Sequence, residues 1–104
     1  MKVLKFGGTS VGTVESLKNV KKIVDSLPDG CIVVVSALGG LTDRLILTAN
    51  MAAQGNEDYS KEMDAMSKRH FDIIEGVIAP EKQEAVKQTV GNLLHSLRRL
   101  YDGI

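Results

Sequence analysis

The chain has 104 residues, which is the size of one domain or of part of one. Hydrophobic residues make up 43% and charged residues 25%, as in ordinary globular proteins, and thirteen basic residues balance thirteen acidic ones. This neutral balance, together with only two Phe, two Tyr and no Trp, argues against nucleic-acid and membrane-surface partners.

Cysteine content and hydrophobicity point to a cytoplasmic location. The single cysteine, Cys31, cannot form an internal disulfide, and no signal peptide precedes the first predicted strand. The apolar run "CIVVVSAL" is too short to cross a bilayer.

The first third of the chain is predicted to form a strand, a helix and a second strand. Residues 2–6 form the first strand. A helix follows from about Thr13, its N-cap, to Ser26, with Glu15 in its first turn. Pro28, Asp29 and Gly30 supply the next turn. The run "CIVVVSA" has no polar alternation, which is typical of a parallel strand buried on both faces.

The rest of the chain is predicted to be helical. Thr42 is expected to cap a helix that ends near Gly55. A second helix stops before Pro80 and carries one apolar stripe: Tyr59, Met63, Met66, His70, Ile74 and Val77. His70 is interpreted as a structural residue, because no second histidine or cysteine lies at metal-binding spacing. A last helix runs from Pro80 to about Tyr101, and its predicted inward face comprises Val86, Val90, Leu93, Leu97 and Leu100.

These elements predict an α/β fold in which a parallel-sheet βαβ unit is followed by a helical segment. Two strands do not complete such a sheet, since a buried strand needs neighbours for its backbone groups. We therefore expect the chain to be a fragment of a longer protein, or copies of it to complete one another.

Each predicted strand ends in a glycine pair, and the first pair follows a lysine. In "KVLKFGGTSVGT", Lys5 lies on the strand and Gly7-Gly8 expose backbone N–H groups to an anion such as phosphate. A P-loop would place its lysine after the glycines, and "GGTSVG" does not match the dinucleotide-binding pattern. Lys5 and the glycines can hold a phosphoryl group. The alternative is that Lys5 is an exposed strand residue and that the glycines only form a tight turn.

The second turn, "SALGGLTD", adds hydroxyl groups at the same sheet edge. Ser36 ends the strand and Thr42 lies at the start of a helix. Gly39 and Gly40 have no side chains, so their backbone is accessible to a ligand. These groups can hold a small polar substrate beside the first turn. The alternative is a plain strand-to-helix loop with Thr42 as its N-cap.

The segment "KFGGTSV" at 5–11 resembles the signature of aspartate kinases in the amino-acid kinase family. The segment "VVVSALGGLTD" is similar to the family's second turn, and "MKVLKFGGTSV" is similar to the start of bifunctional aspartate kinase/homoserine dehydrogenases. The resemblance covers essentially the whole chain. "GTSV" and "GGLTD" argue against kinases of the same family that act on glutamate, acetylglutamate or a nucleotide.

The resemblance implies ATP-dependent phosphorylation of L-aspartate to 4-phospho-L-aspartate, the first step towards lysine, threonine and methionine. It assigns Lys5 as the catalytic lysine, which also binds ATP. Gly7, Gly8, Thr9 and Ser10 are assigned to the ATP phosphates.

By the same resemblance, Ser36 and Thr42 contact aspartate. Mg²⁺ enters with ATP and has no identified protein ligand. A homo-oligomer is expected.

The family's "S-x-G-E" segment, its nucleotide-binding half and its regulatory domains have no counterpart here. Residues 1–104 are therefore expected to be the N-terminal part of an aspartate kinase catalytic domain, inactive alone. The alternative is a non-catalytic anion-binding or assembly module.

Overall fold

The computed structural model describes all residues, from Met1 to Ile104. It contains two strands and four helices, in the order β1 (Lys2–Phe6), α1 (Val14–Asp25), β2 (Cys31–Val35), α2 (Leu41–Ala53), α3 (Tyr59–Val77) and α4 (Pro80–Asp102). The chain divides into two units, Met1–Thr42 and Asp43–Ile104. None of the helices has both the length and the apolar character that crossing a membrane requires.

Strands β1 and β2 form a two-stranded parallel sheet. The register pairs Lys2 with Cys31 at one end and Phe6 with Val35 at the other. Parallel neighbours need a crossover connection, and α1 provides it. The predicted βαβ unit is therefore confirmed, with both strands ending at one edge of the sheet.

The side chains of β2 are more exposed than its sequence predicts. Ile32, Val33, Val34 and Val35 are 41% to 55% exposed, so the expected burial on both faces is wrong for residues 1–104. The physical reason is the size of the sheet, because strand side chains point to the two sheet faces and a sheet of two strands is too narrow to bury them; β2 also has a partner on one side only. Its other edge keeps unpaired backbone groups.

Helix α1 begins where the sequence indicates. The Thr13 side chain accepts a hydrogen bond from the Ser16 backbone N–H over 3.1 Å, and the Ser16 hydroxyl oxygen accepts from the Thr13 N–H over 3.0 Å. This reciprocal capping box satisfies two backbone donors at the helix start, and Glu15 lies in the first turn as expected.

Helix α2 begins two residues earlier than a cap at Thr42 would place it. It starts at Leu41, so Thr42 lies inside the first turn and is not the N-cap. Gly40 has a φ of +77°, a left-handed conformation that glycine adopts without a steric penalty, and it turns the chain into the helix ahead of Thr42. At the other end, α2 stops at Ala53, close to the predicted end near Gly55.

The second unit has a core of α3 side chains. All six positions of the predicted α3 stripe are buried or half-buried: Tyr59, Met63, Met66, His70, Ile74 and Val77. Met63 is the most enclosed of them, at 1% exposed. The Nδ1 atom of His70 lies 2.7 Å from the Met66 carbonyl oxygen, one turn earlier on the same helix, which agrees with a structural role for this histidine.

The inward face of α4 is rotated from the predicted one. Leu93 and Leu100 are 68% and 69% exposed, so their predicted burial is wrong. A Cβ atom at Gly91 would lie 3.7 Å from the Phe71 ring, which places Gly91 on the side that meets α3. The buried face of α4 therefore passes through Gly91 and ends at the buried Tyr101. The other positions of the predicted inward face are half-buried: Val86, Val90 and Leu97.

Polar contacts add to the packing of α3 against α4. The Arg98 guanidinium donates to the Ser60 hydroxyl over 2.8 Å and to the Asp64 carboxylate over 2.5 Å. Lys87 pairs with Glu75 over 2.9 Å near the other end of the helix pair. These groups are partly exposed, so each pair contributes at most about 1 kcal/mol.

Candidate active site at the strand ends

Strands β1 and β2 end side by side, at the same level of the sheet. Lys5 pairs with Val34 in the register, and the Ser36 N–H donates to the Phe6 carbonyl over 3.1 Å just beyond the last strand pair. Lys5 is exposed, and its ammonium group has no ion-pair or hydrogen-bond partner within the chain. A positive charge without a partner in the chain therefore lies beside the point where both loops begin.

The first loop, residues 7–12, is a short turn that leads into the N-terminus of α1. The Ser10 N–H donates to the Gly7 carbonyl over 3.0 Å and closes the turn. Gly7 and Thr9 are exposed, whereas Gly8 and Ser10 are half-buried. A Cβ atom at Gly7 would meet nothing within 4 Å, so the space beside this residue is open.

The second loop, residues 36–40, joins β2 to α2. The Ser36 hydroxyl donates to the Ala37 carbonyl over 3.1 Å, and the Leu41 N–H donates to the Leu38 carbonyl over 2.9 Å. Ser36 is exposed, as is Thr42 in the first turn of α2. Both hydroxyls can therefore contact a ligand, although the Thr42 hydroxyl makes no hydrogen bond to the first loop.

The two loops touch through their backbones. A Cβ atom at Gly8 would lie 3.3 Å from the Gly39 Cα atom and 3.6 Å from the Ser36 Oγ atom. The structure thus brings Gly8 of the first loop against Ser36 and Gly39 of the second. A phosphate group on the first loop and a small molecule on the second would be neighbours.

Two features of this site are not predicted from the sequence. One is Gly12, which approaches the second loop, since a Cβ atom there would lie 3.6 Å from the Gly39 nitrogen. The only sequence signal for this residue is the third glycine of "GGTSVG". The other is a cavity of about 260 Å³ beside the first loop, which Thr9 and Ser10 share with α1 residues Ser16 and Asn19. No group of three or more His, Cys, Asp or Glu side chains that could hold a metal ion is present.

Comparisons with known proteins show which family the chain resembles. Residues 1–98 match the model of the amino acid kinase family. Over 67 residues the chain is 45% identical to aspartate kinase Ask_LysC of Stutzerimonas stutzeri, which covers 62% of this chain and 16% of that protein. Over 104 residues it is 32% identical to the chloroplastic bifunctional aspartokinase/homoserine dehydrogenase 1 of Zea mays, which covers 95% of this chain and 11% of that protein.

A solved structure shows the same fold. The crystal structure of E. coli aspartokinase III in complex with aspartate and ADP, in its R-state, matches 99% of this chain and 22% of that one, with a TM-score of 0.81 and 27% identity. The chain thus spans between about a tenth and a quarter of these proteins. These matches confirm the resemblance to aspartate kinases and the predicted α/β fold, and the chain belongs to the amino acid kinase family.

Proposed function

We propose that residues 1–104 supply the phosphate-binding loop and part of the aspartate site of an aspartate kinase catalytic domain. The reaction transfers the terminal phosphoryl group of ATP to the side-chain carboxylate of L-aspartate, which gives 4-phospho-L-aspartate and ADP. The observation that carries the proposal is the contact between the two loops at Gly8, Ser36 and Gly39, beside an unpaired Lys5. This contact puts groups suited to phosphate next to groups suited to a small polar acceptor.

The first loop is suited to the phosphate groups of ATP. Backbone N–H groups of Gly7 and Gly8 can approach phosphate oxygens closely, because no side chain stands between them. The hydroxyls of Thr9 and Ser10 add further donors. Lys5 supplies a full positive charge, which stabilises the negative charge that spreads over the transferring phosphoryl group. Mg²⁺ accompanies the nucleotide, and we assign it no ligand among these residues.

The second loop is suited to hold the acceptor. The Ser36 and Thr42 hydroxyls can donate hydrogen bonds to the carboxylates of aspartate. The attacking carboxylate is ionised at neutral pH, so it needs no general base from the protein. Catalysis then depends on position and on charge stabilisation, which is what the loops and Lys5 offer.

The test uses the complete gene product that contains residues 1–104. Acyl phosphate formed from ATP and L-aspartate is trapped with hydroxylamine, with L-glutamate and N-acetylglutamate as competing acceptors. We expect aspartate to be used, and Lys5→Ala to lower kcat roughly a hundredfold or more. Lys2→Ala removes an exposed lysine from the same strand and should leave kcat unchanged.

Two results would contradict the proposal. The first is a complete gene product that forms no aspartate-dependent acyl phosphate. The second is a Lys5→Ala variant that keeps full activity. Weak phosphate binding that Lys5→Ala leaves unchanged would instead favour a non-catalytic anion-binding or assembly module.

A further inference from the structure

The carbonyl oxygen of Gly8 is enclosed by two other glycines. A Cβ atom at Gly39 would lie 2.9 Å from this oxygen, and a Cβ atom at Gly12 would lie 3.1 Å from it. Gly12 and Gly39 also approach each other, since a Cβ at Gly12 would lie 3.6 Å from the Gly39 nitrogen. Three glycines from two loops therefore meet around one backbone carbonyl.

Backbone conformation does not explain these glycines. The glycines with positive φ are Gly30, Gly40 and Gly55, so neither Gly12 nor Gly39 adopts a conformation that a side chain would strain. The reason for glycine at these two positions is space. Any side chain at Gly39 would have to displace the Gly8 carbonyl, because 2.9 Å is too short for a Cβ···O contact.

We propose that Gly39 and Gly12 are positioning residues that set the distance between the phosphate-binding loop and the aspartate-binding loop. This inference rests on the proposed function. Neither residue needs to touch a substrate. Gly39 holds the second loop against Gly8, so that the acceptor carboxylate and the transferring phosphoryl group come within reacting distance. Gly12 packs against the same Gly8 carbonyl oxygen from within the first loop.

The consequence for catalysis follows from the distances. A methyl group at Gly39 forces the loops apart at the place where their separation is fixed. Phosphoryl transfer depends steeply on the approach of the reacting atoms, and a displacement of about 1 Å can cost about a hundredfold in rate. Each loop keeps its own binding groups, so each substrate should still bind.

The experiment compares three variants of the complete gene product in the hydroxylamine assay. Gly39→Ala should lower kcat about tenfold to a hundredfold, while KM for ATP and for aspartate changes by less than about threefold. Gly12→Ala, with a looser contact of 3.1 Å, should lower kcat by a smaller factor. It also carries the test if Gly39→Ala fails to fold.

Gly30→Ala is the matched control. Gly30 lies in the turn before β2 with a φ of +74° and open space around its Cβ position, so alanine strains the backbone without touching either loop. It should lower the melting temperature and leave kcat unchanged. An active wild type whose Gly39→Ala and Gly12→Ala variants are folded and keep kcat would overturn the inference, as would an equal loss of kcat in Gly30→Ala. An inactive wild type would instead count against the proposed function itself.

Discussion

The hydroxyl of Tyr101 donates a hydrogen bond to the main-chain carbonyl of Leu45 over 3.0 Å. This bond joins the end of α4 to the first half of α2 across 56 positions of the sequence. The Tyr101 ring also meets the Tyr59 ring edge-on, with centroids 6.5 Å apart. One aromatic side chain thus connects three helices of the second unit.

Removal of the Tyr101 hydroxyl should weaken the second unit modestly. Tyr101→Phe keeps the ring contact with Tyr59 and loses the bond to Leu45, so we expect a loss of about 1 kcal/mol in the free energy of unfolding. Tyr101→Ala also removes the buried ring, and the loss should rise to about 3–5 kcal/mol. Urea denaturation followed by circular dichroism measures both. Equal losses for the two variants would show that the ring contributes nothing.

The contact between Tyr59 and Asp102 predicts a dependence of stability on alkaline pH. The Tyr59 hydroxyl donates to the Asp102 carboxylate, and this hydrogen bond, followed by desolvation, raises the pKa of Tyr59 above its ordinary value of 10.0. A raised pKa means that the folded state holds the proton more tightly than the unfolded state does. The contribution is therefore complete below pH 10 and is lost as the pH rises through the folded-state pKa.

Melting temperatures measured from neutral to strongly alkaline pH test this dependence. Tyr59→Phe removes the titrating proton and the hydrogen bond to the Asp102 carboxylate. Part of the stability loss at alkaline pH should therefore disappear in this variant. Tyr101→Phe is a useful second variant, because burial raises the pKa of Tyr101 as well. Absorbance of the tyrosinate ion follows both titrations directly. A Tyr59 that titrates at or below its ordinary pKa would contradict the prediction.

The capping box of α1 should contribute measurably to the first unit. Thr13→Ala removes the side-chain acceptor for the Ser16 N–H, and we expect a loss of about 1 kcal/mol. Thr13→Ser keeps a hydroxyl at the same place and should lose much less. Thermal denaturation of the two variants makes the comparison. Indistinguishable melting temperatures would mean that water replaces the cap without cost.

The open edge of β2 predicts association of residues 1–104 in isolation. This edge has unpaired backbone groups and is flanked by half-exposed valines and isoleucine, a combination that favours pairing with another chain. Sedimentation at increasing protein concentration should show a rising average mass. Val33→Lys places a charge on β2 and should reduce the association.

Leu93→Lys is the control for this prediction. It makes the same charge change at an exposed apolar position of α4, where no strand edge is available. It should leave the association in place. A chain that remains monomeric at all concentrations and unfolds cooperatively would contradict the prediction.

Local signals predicted most of the secondary structure. Thr13 with Glu15 marked the start of α1, and Pro80 marked the start of α4, because capping and the fixed proline φ act within a few residues. The start of α2 was predicted two residues too late, since the sequence does not show that Gly40 adopts a left-handed conformation there. Boundaries set by backbone conformation are harder to predict than those set by side-chain caps.

Burial and loop contacts were predicted less well, because both depend on distant parts of the chain. The apolar stripe of α4 through Leu93 and Leu100 has helical spacing, but these residues are exposed. The face of α4 that packs against α3 is the neighbouring one, where Gly91 approaches Phe71. The glycine pairs and the resemblance to aspartate kinases indicated the candidate site residues on each loop, and their roles stay predictions. The contact of Gly8 with Gly39 was not predicted, since it joins positions 31 apart in a way that no local pattern specifies.

The meeting of Gly8, Gly12 and Gly39 has a consequence for how this sequence can change. Most tight contacts in proteins can be relieved by a second substitution that shortens the opposing side chain. Here both sides are backbone, and glycine has nothing left to shorten. A bulkier residue at any of the three positions has no compensating partner within the trio. Random mutagenesis with selection should therefore accept side chains least often at Gly39, where the contact with the Gly8 carbonyl is the shortest of the three.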